Sequence, residues 1–195
     1  MKKALYIGMT AGLLLLVGCG DDATKADGSV HYVTNPEIQA KGMGQIKGML
    51  GKMKPTLKKA LKADHTGMGG LIMCSSAAGE MGKKYNASLP EGSSIRRTAL
   101  KYRNEKNKPD TTDIAVMQKL EKSRAFDKPL VVEMSDSFRI YKALPVKKAC
   151  LTCHGIESEM FPMMKKFIEK KYPQDKAVNF KENDLRGVII STIKK

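Results

Sequence analysis

Apolar residues near the amino terminus recur at three- and four-residue steps in two separate segments. The first set is Ile46, Met49, Leu50, Met53, Leu57, Ala60 and Leu61. The second set follows a break at Gly69-Gly70 and is Leu71, Cys74, Ala78, Met81 and Tyr85. Such offsets place each set on one face of a helix. The pattern therefore predicts two helices, the first of them containing Pro55, and it predicts that Cys74 faces inward.

Four later segments are rich in branched or aromatic residues and predict strands: 95–102, 130–134, 138–144 and 187–193. The second and third flank Ser135-Asp136-Ser137, which favours a hairpin turn. Helices are predicted between the strands, one from Pro109 and a short one opened by Ser158 or Pro162. This order predicts an α+β domain built on a small antiparallel sheet, and a four-helix bundle is a minor alternative that the strands disfavour.

The amino terminus has the features of an export signal. Lys2 and Lys3 precede an apolar run, and the run ends in Leu16-Val17-Gly18-Cys19, the pattern of a lipobox. We expect residues 1–18 to be a lipoprotein signal peptide, Cys19 to carry lipid, 19–36 to be a tether and 37–195 to be the domain. An uncleaved anchor, or an ordinary signal peptide with an incidental cysteine, is the alternative. Either way the domain is expected outside the cytoplasm, and the lipoprotein interpretation places it at the periplasmic face of a membrane.

Removal of residues 1–18 leaves 177 residues, enough for one domain. Two of the 35 basic side chains leave with the signal, so 33 basic and 20 acidic side chains give the remainder a formal charge of +13. This charge suits a surface beside anionic lipid or one that steers acidic redox partners. Nucleic acid is not an expected partner, because the basic pairs have no interleaved aromatic residues and the chain is expected to be exported.

The pentapeptide Cys150-Leu151-Thr152-Cys153-His154 has the CxxCH spacing. In this spacing two thiols can attach a haem covalently, while the histidine that follows supplies an axial iron ligand. A redox-active dithiol would need a βαβ context, and half of a zinc site would need a second ligand pair. Neither context is visible in the sequence. The motif therefore predicts one covalent haem c held by Cys150 and Cys153, with His154 on the iron.

One cysteine, Cys74, is left over after lipid and haem take the other three. An odd cysteine in an exported chain is either a small buried hydrophobic residue or a functional thiol, and here it is a candidate second axial ligand. The rivals are His65, an open or water-filled position, and a methionine. His65 lies between the two predicted helices, where a solvated histidine is usual, and His31 lies in the tether. Methionines at helical spacing are more often core residues.

Four blocks of sequence resemble one known family. They are 74–78 (CSSAA), 95–104 (IRRTALKYRN), 150–155 (CLTCHG) and 172–177 (YPQDKA) running into 184–187 (DLRG). The family is that of exported, PAS-like single-haem c-type domains, and the resemblance covers about residues 37 to 195. It implies a PAS-like antiparallel sheet with amino-terminal helices and inserted helices around one haem. It also implies that His154 and Cys74 are the two axial ligands.

Thiolate ligation would favour ferric iron and hence a low reduction potential. Loss of that ligand on reduction would free one iron face for a small gas ligand. The chain is therefore interpreted as a redox or small-ligand sensor, with a lipid-tethered electron carrier as the alternative. No acid–base pair suggests catalysis. Arg97 and Tyr141 are candidate contacts for the haem propionates, although both could be exposed strand residues.

Overall fold

The computed structural model describes residues 30–64 and 66–195. The predicted signal peptide, Cys19 and His65 lie outside these ranges. The helices are α1 (Pro36–Ala63), α2 (Met68–Ile72), a π-helical turn (Met73–Ala77), α3 (Ala78–Ala87), α4 (Thr111–Ser123), α5 (Leu151–His154) and α6 (Pro162–Lys171). The strands are β1 (Ser93–Thr98), β2 (Leu130–Glu133), β3 (Ser137–Pro145) and β4 (Leu185–Lys194). Short 3-10 turns cover Glu105–Asn107, Lys148–Cys150 and Glu157–Glu159.

The four strands form one antiparallel sheet in the order β1-β4-β3-β2. The predicted hairpin is β2–β3, in which Val131 pairs with Ile140. The carboxyl-terminal strand β4 lies between β1 and β3, and its branched side chains are buried on both faces. An α+β domain with an antiparallel sheet, amino-terminal helices and inserted helices is thus confirmed.

The chain enters the fold before α1. Tyr32 forms an isolated antiparallel bridge with Val132, and Val33 N–H donates to Val131 O at 3.0 Å. Glu133 N–H donates in turn to His31 O at 2.9 Å. β2 is an edge strand, and these bonds pair the outer edge that it would otherwise leave open. The last residues of the segment predicted as a tether therefore belong to the folded domain.

Helix α1 packs across one face of the sheet. Asn35 caps its first turn, since its Oδ1 accepts from Ile38 N–H at 3.1 Å, and Pro36 occupies the first helical position. The apolar stripe predicted from the sequence is the buried one: Ile46, Met49 and Met53 lie in a core with side chains from β3 and β4. Thus the long first helix is positioned by its periodic apolar residues.

Helix α4 covers the opposite face of the sheet. Asp110 caps it through a capping box with Asp113, and its apolar residues Val116, Met117 and Leu120 are buried against β3 and β4. Tyr141 is 1% exposed in this second core. Its hydroxyl donates to Asp113 Oδ1 at 2.9 Å.

The second predicted helix is interrupted by a π-helical turn. Leu71 and Ala78 are buried as the apolar stripe predicts, but Cys74 lies within the π turn and is exposed. A π turn holds more residues than an α turn, so it shifts the helical register and turns Cys74 away from the buried stripe, whereas Met73 in the same turn stays buried. The prediction that Cys74 faces inward is therefore wrong. No helix in residues 30–64 or 66–195 combines the length and apolarity needed to cross a membrane.

Candidate functional site

The two cysteines and the histidine of the pentapeptide lie on one short structural unit, the 3-10 turn Lys148–Cys150 followed by α5. The Cys150 side of this unit packs against Val146, Ala177 and Phe180. Cys153 packs instead against the cluster of Leu71 and α6. Both thiols are free and partly accessible. Burial raises the pKa of Cys153 to about 11, so this thiol is protonated at neutral pH.

Hydrogen bonds to both ring nitrogens of His154 select one tautomer. Nδ1 lies 2.8 Å from Ala177 O, which can only accept, so Nδ1 carries the proton. Nε2 lies 3.4 Å from Arg186 Nε, which can only donate, so Nε2 is unprotonated and its lone pair accepts this bond. A hydrogen bond from Nδ1 to a backbone carbonyl is a usual way in which a metal-binding imidazole is oriented.

His154 is also kept neutral. Burial is the main cause that holds its pKa well below the usual range, and the nearby charges of Arg186 and Arg103 act in the same direction. The bond to Ala177 O acts the other way but is outweighed. A neutral imidazole with an unprotonated Nε2 is the form that binds a metal.

Three guanidinium groups act on this turn, those of Arg97, Arg103 and Arg186. The pKa of Arg186 is lowered to about 10, mainly by burial and then by the charges of Arg103 and Arg97. Among the described residues, Asp175 is the carboxylate whose charge raises the pKa of Arg186, and it already forms an ion pair with Arg103. The cluster therefore holds more positive than negative charge in a partly desolvated place, which favours an anionic ligand.

An irregularity in the sheet re-aims Arg186 toward His154. β4 pairs through Gly187 with Leu144 and then through Leu185 with Pro145, so Arg186 is skipped in the register. Bulges of this kind redirect a side chain. Gly187 has φ 153° and a Cβ added there would clash with Thr98 O. The small residue thus allows β4 to approach β1 at the point where Arg186 turns into the site.

Cys74 belongs to the same cluster. Burial raises the pKa of its thiol, whereas Arg97, Arg103 and Arg186 lower it, and Cys150 acts on it as well. The side chain is nevertheless exposed to solvent. Cys74 therefore lies at an exposed position within electrostatic reach of the arginines and the pentapeptide, and the surface that they share is here called the cleft.

Arg97 lies in this cleft as well, since it acts on both His154 and Cys74. Tyr141 does not. It lies under α4 on the other face of the sheet, because residues 95 and 97 alternate with 96 and 98 along β1, and Arg96 and Tyr141 both bond to Asp113. The structure assigns Tyr141 to the core and not to the cleft, which corrects the prediction of a propionate contact there.

Two arginines of the site were missed in the sequence. Arg103 and Arg186 both lie in the blocks on which the family resemblance depends, 95–104 and 184–187, and block 172–177 supplies Asp175. These blocks converge on the pentapeptide: Arg103 bonds to Cys153 O, and Arg186 bonds to His154 and to Lys101 O at 3.1 Å. The sequence blocks therefore contained these residues, but the sequence did not indicate the role of each one.

Comparison with known proteins gives two findings. The chain matches the family model described as Tll0287-like over residues 26–194. It is also similar to a solved structure, the crystal structure of the cyanobacterial heme-protein Tll0287, with a TM-score of 0.64 and 23% sequence identity over 83% of this chain and 98% of that chain. At this identity the likeness shows a shared fold. A search of curated proteins found no match.

Proposed function

The chain belongs to the Tll0287-like family, as its sequence resemblance predicted, and from this membership we propose that it binds one haem at the turn of Cys150 and Cys153. The similar solved protein is described as a heme-protein. The observation that carries the proposal is the tautomer of His154. Its Nδ1 donates to the carbonyl of Ala177, and its unprotonated Nε2, which lies against Arg186, could bind iron.

The residues of the cleft fit a haem in both chemistry and charge. Cys150 and Cys153 are free thiols three residues apart on one helical turn, the arrangement that attaches a haem covalently. Arg97 and Arg186 provide positive charge for two propionate carboxylates, and the guanidinium fork matches a carboxylate. The lowered pKa of Arg186 marks the place where an anion would relieve repulsion between like charges.

Cys74 is proposed as the second axial ligand, opposite His154. The positive charges of Arg97, Arg103 and Arg186 favour its thiolate and counteract the burial that raises its pKa. When bound, the haem supplies one-electron redox chemistry and, at an axial position without a protein ligand, a binding place for a small molecule. The chain's own contribution is to hold the imidazole neutral and the thiol close to positive charge.

We propose that the domain acts as a low-potential redox or small-ligand sensor. The position of Cys74 supports this role, because a π turn is rare and frequently marks a functional segment within a helix. The proposal includes export and a lipid anchor at Cys19, from the sequence pattern alone. The alternative is an electron carrier tethered by lipid, and the exposed lysines on the outer face of α1 favour it, since Lys47, Lys54 and Lys58 could steer an acidic partner.

Haem attachment can be tested on the full chain produced in cells with a c-type maturation system. We expect haem to stay with the polypeptide after extraction with acidified organic solvent, and to be lost from a variant carrying Cys150→Ser and Cys153→Ser. Cys74→Ser serves as a matched control that should retain covalent haem. Haem that extracts from the parent chain, or a parent chain that never takes up haem, would disprove the proposal.

Electrochemistry separates the two roles. Fast and reversible waves would favour the carrier, because a ligand change on reduction adds reorganisation energy. Slow waves with hysteresis, together with binding of carbon monoxide to the reduced chain, would favour the sensor. The same voltammetry on Cys74→Ala then assigns the slow step, since that variant should lose the hysteresis if Cys74 is the ligand that leaves.

A further inference from the structure

Arg103 and Asp175 form an ion pair beside the pentapeptide, and each side chain is only 10% exposed. Asp175 Oδ2 accepts from Arg103 Nε at 3.0 Å and lies 3.0 Å from Nη2 of the same guanidinium. The other carboxylate oxygen, Oδ1, accepts from Ala177 N–H at 2.8 Å. One carboxylate thus holds both a guanidinium and the backbone of the segment that lies against His154.

The guanidinium of Arg103 joins two backbone carbonyls through a single nitrogen. Nη2 donates to Cys153 O at 2.8 Å and to Ala177 O at 3.1 Å. Ala177 O is also the acceptor for His154 Nδ1. Arg103 therefore links the turn that carries His154 to the carbonyl that fixes the tautomer of His154.

These bonds distinguish Arg103 from its two neighbours. Its Nε and Nη2 are occupied by Asp175 and by the two carbonyls, and its charge is balanced by the Asp175 carboxylate. Arg186 bonds to a ring nitrogen and to one carbonyl, and among the described residues no ion pair with a carboxylate is seen for it or for Arg97. Arg97 and Arg186 are thus suited to an external anion, whereas Arg103 is suited to holding the backbone in place.

We propose that Arg103 and Asp175, here called the clamp, are positioning residues for His154. They hold Ala177 O against Nδ1, and by doing so they keep Nε2 unprotonated and on the Arg186 side of the ring. Groups that hydrogen-bond the other ring nitrogen of a metal-binding histidine fix its tautomer and ring orientation. This inference rests on the proposed function in one respect: it takes His154, the residue that the clamp positions, to be an iron ligand.

The first test uses the haem-free full chain, so that it does not depend on haem binding. The chain has three histidines. A His31→Gln and His65→Gln background, labelled with nitrogen-15, therefore leaves the ring signals of His154 alone, and their shifts report the tautomer. The spectra are recorded under reducing conditions at neutral pH.

In the parent background we expect the tautomer with the proton on Nδ1 to dominate. Arg103→Gln should raise the population of the other tautomer about tenfold, the factor that one charge-assisted hydrogen bond gives. Arg103→Lys keeps the charge but loses the planar fork, and it should shift the population in the same direction. Asp175→Asn should do so to a smaller extent, because its amide oxygen can still accept from Ala177 N–H.

Arg97→Gln is the matched control. It removes one charge from the same cleft without breaking a bond to Ala177 O, and we expect it to leave the tautomer unchanged. An equal shift in Arg97→Gln would overturn the proposal, and so would an unchanged tautomer in every folded clamp variant. If all clamp variants fail to fold by circular dichroism while Arg97→Gln folds, the pair is structural and the proposal is overturned as well.

The second test uses the haem-loaded chain and measures paramagnetic resonance of the ferric state. The parent and Arg124→Gln, a control at an exposed residue outside the site, should each give one set of g values. Arg103→Lys should give a broadened or multiple set, because the axial imidazole is no longer held in one orientation. A single unchanged set in Arg103→Lys would contradict the positioning role. Failure of the chain to load haem would disprove the proposed function, and the tautomer measurement would still decide the role of the clamp.

Discussion

Replacement of Arg186 by methionine should make the haem-free chain more stable. Arg186 is a partly buried cation beside Arg103 and Arg97, and its pKa is lowered to about 10 by burial and then by those charges. A lowered pKa in a basic group means that folding disfavours its charged form. The penalty is fully present at neutral pH and declines only as the pH rises above about 10 toward the higher pKa of the unfolded chain.

The size of the effect follows from the shift. Each pKa unit corresponds to about 1.4 kcal/mol, so the charged guanidinium costs the folded state about 3.5 kcal/mol. Methionine fills a similar space but loses the bonds from Nη1 to Lys101 O and from Nε to His154 Nε2, which together contribute about 1–2 kcal/mol. The expected net gain is therefore about 2 kcal/mol in the free energy of unfolding.

Urea unfolding of the haem-free chain under reducing conditions measures this gain. Arg124→Met is the matched control, because Arg124 is exposed at the end of α4, and its effect should stay within about 0.5 kcal/mol. In the haem-loaded chain the gain should shrink or reverse, since the propionates would lose a partner. A haem-free Arg186→Met chain that is less stable than the parent would show that the excess positive charge of this cluster does not destabilise the fold.

Two further predictions concern the scaffold. Tyr141→Phe removes a buried hydrogen bond of 2.9 Å to Asp113 Oδ1, so the free energy of unfolding should fall by about 2 kcal/mol. The haem spectrum and potential should stay unchanged, and an altered spectrum would place Tyr141 in the site. Gly42→Ala should lower the stability of the fold by about 1–3 kcal/mol, because the new Cβ would lie 2.6 Å from Ile140 Cγ1. Gly44→Ala has nothing within 4 Å of its new Cβ and should stabilise α1 by about 0.5–1 kcal/mol. Thermal melts compare the two variants, and equal effects would contradict the close approach of α1 to the sheet.

Local patterns in the sequence predicted most of the elements. The apolar stripe through Ile46, Met49 and Met53 predicted α1 because burial on a sheet selects one face of a helix. The hairpin around 135–137 and the final strand 187–193 were also predicted correctly, since their branched residues and turn chemistry are local signals. The pentapeptide indicated the site for the same reason, as its chemistry is contained in five consecutive residues.

Features that depend on register or on long-range contact were not predictable in this way. Which face of the sheet holds Tyr141 depends on the pairing of β3 with β4, and a shift of one residue would reverse it. The π turn at Cys74 is defined by the backbone conformation of Met73–Ala77, so the periodicity of apolar residues in the sequence could not reveal it. The clamp joins residues 72 positions apart in the chain, and no local pattern connects Arg103 with Asp175.

Axial ligation by His154 and Cys74 determines the proposed redox behaviour, and low-temperature paramagnetic resonance of the oxidised, haem-loaded chain measures that ligation. We expect the parent chain to give a low-spin ferric signal of the type produced by one nitrogen and one thiolate donor, and Cys74→Ala to give a different signal with covalent haem retained. If Cys74→Ala gives the same ferric signal as the parent, Cys74 is not an axial ligand.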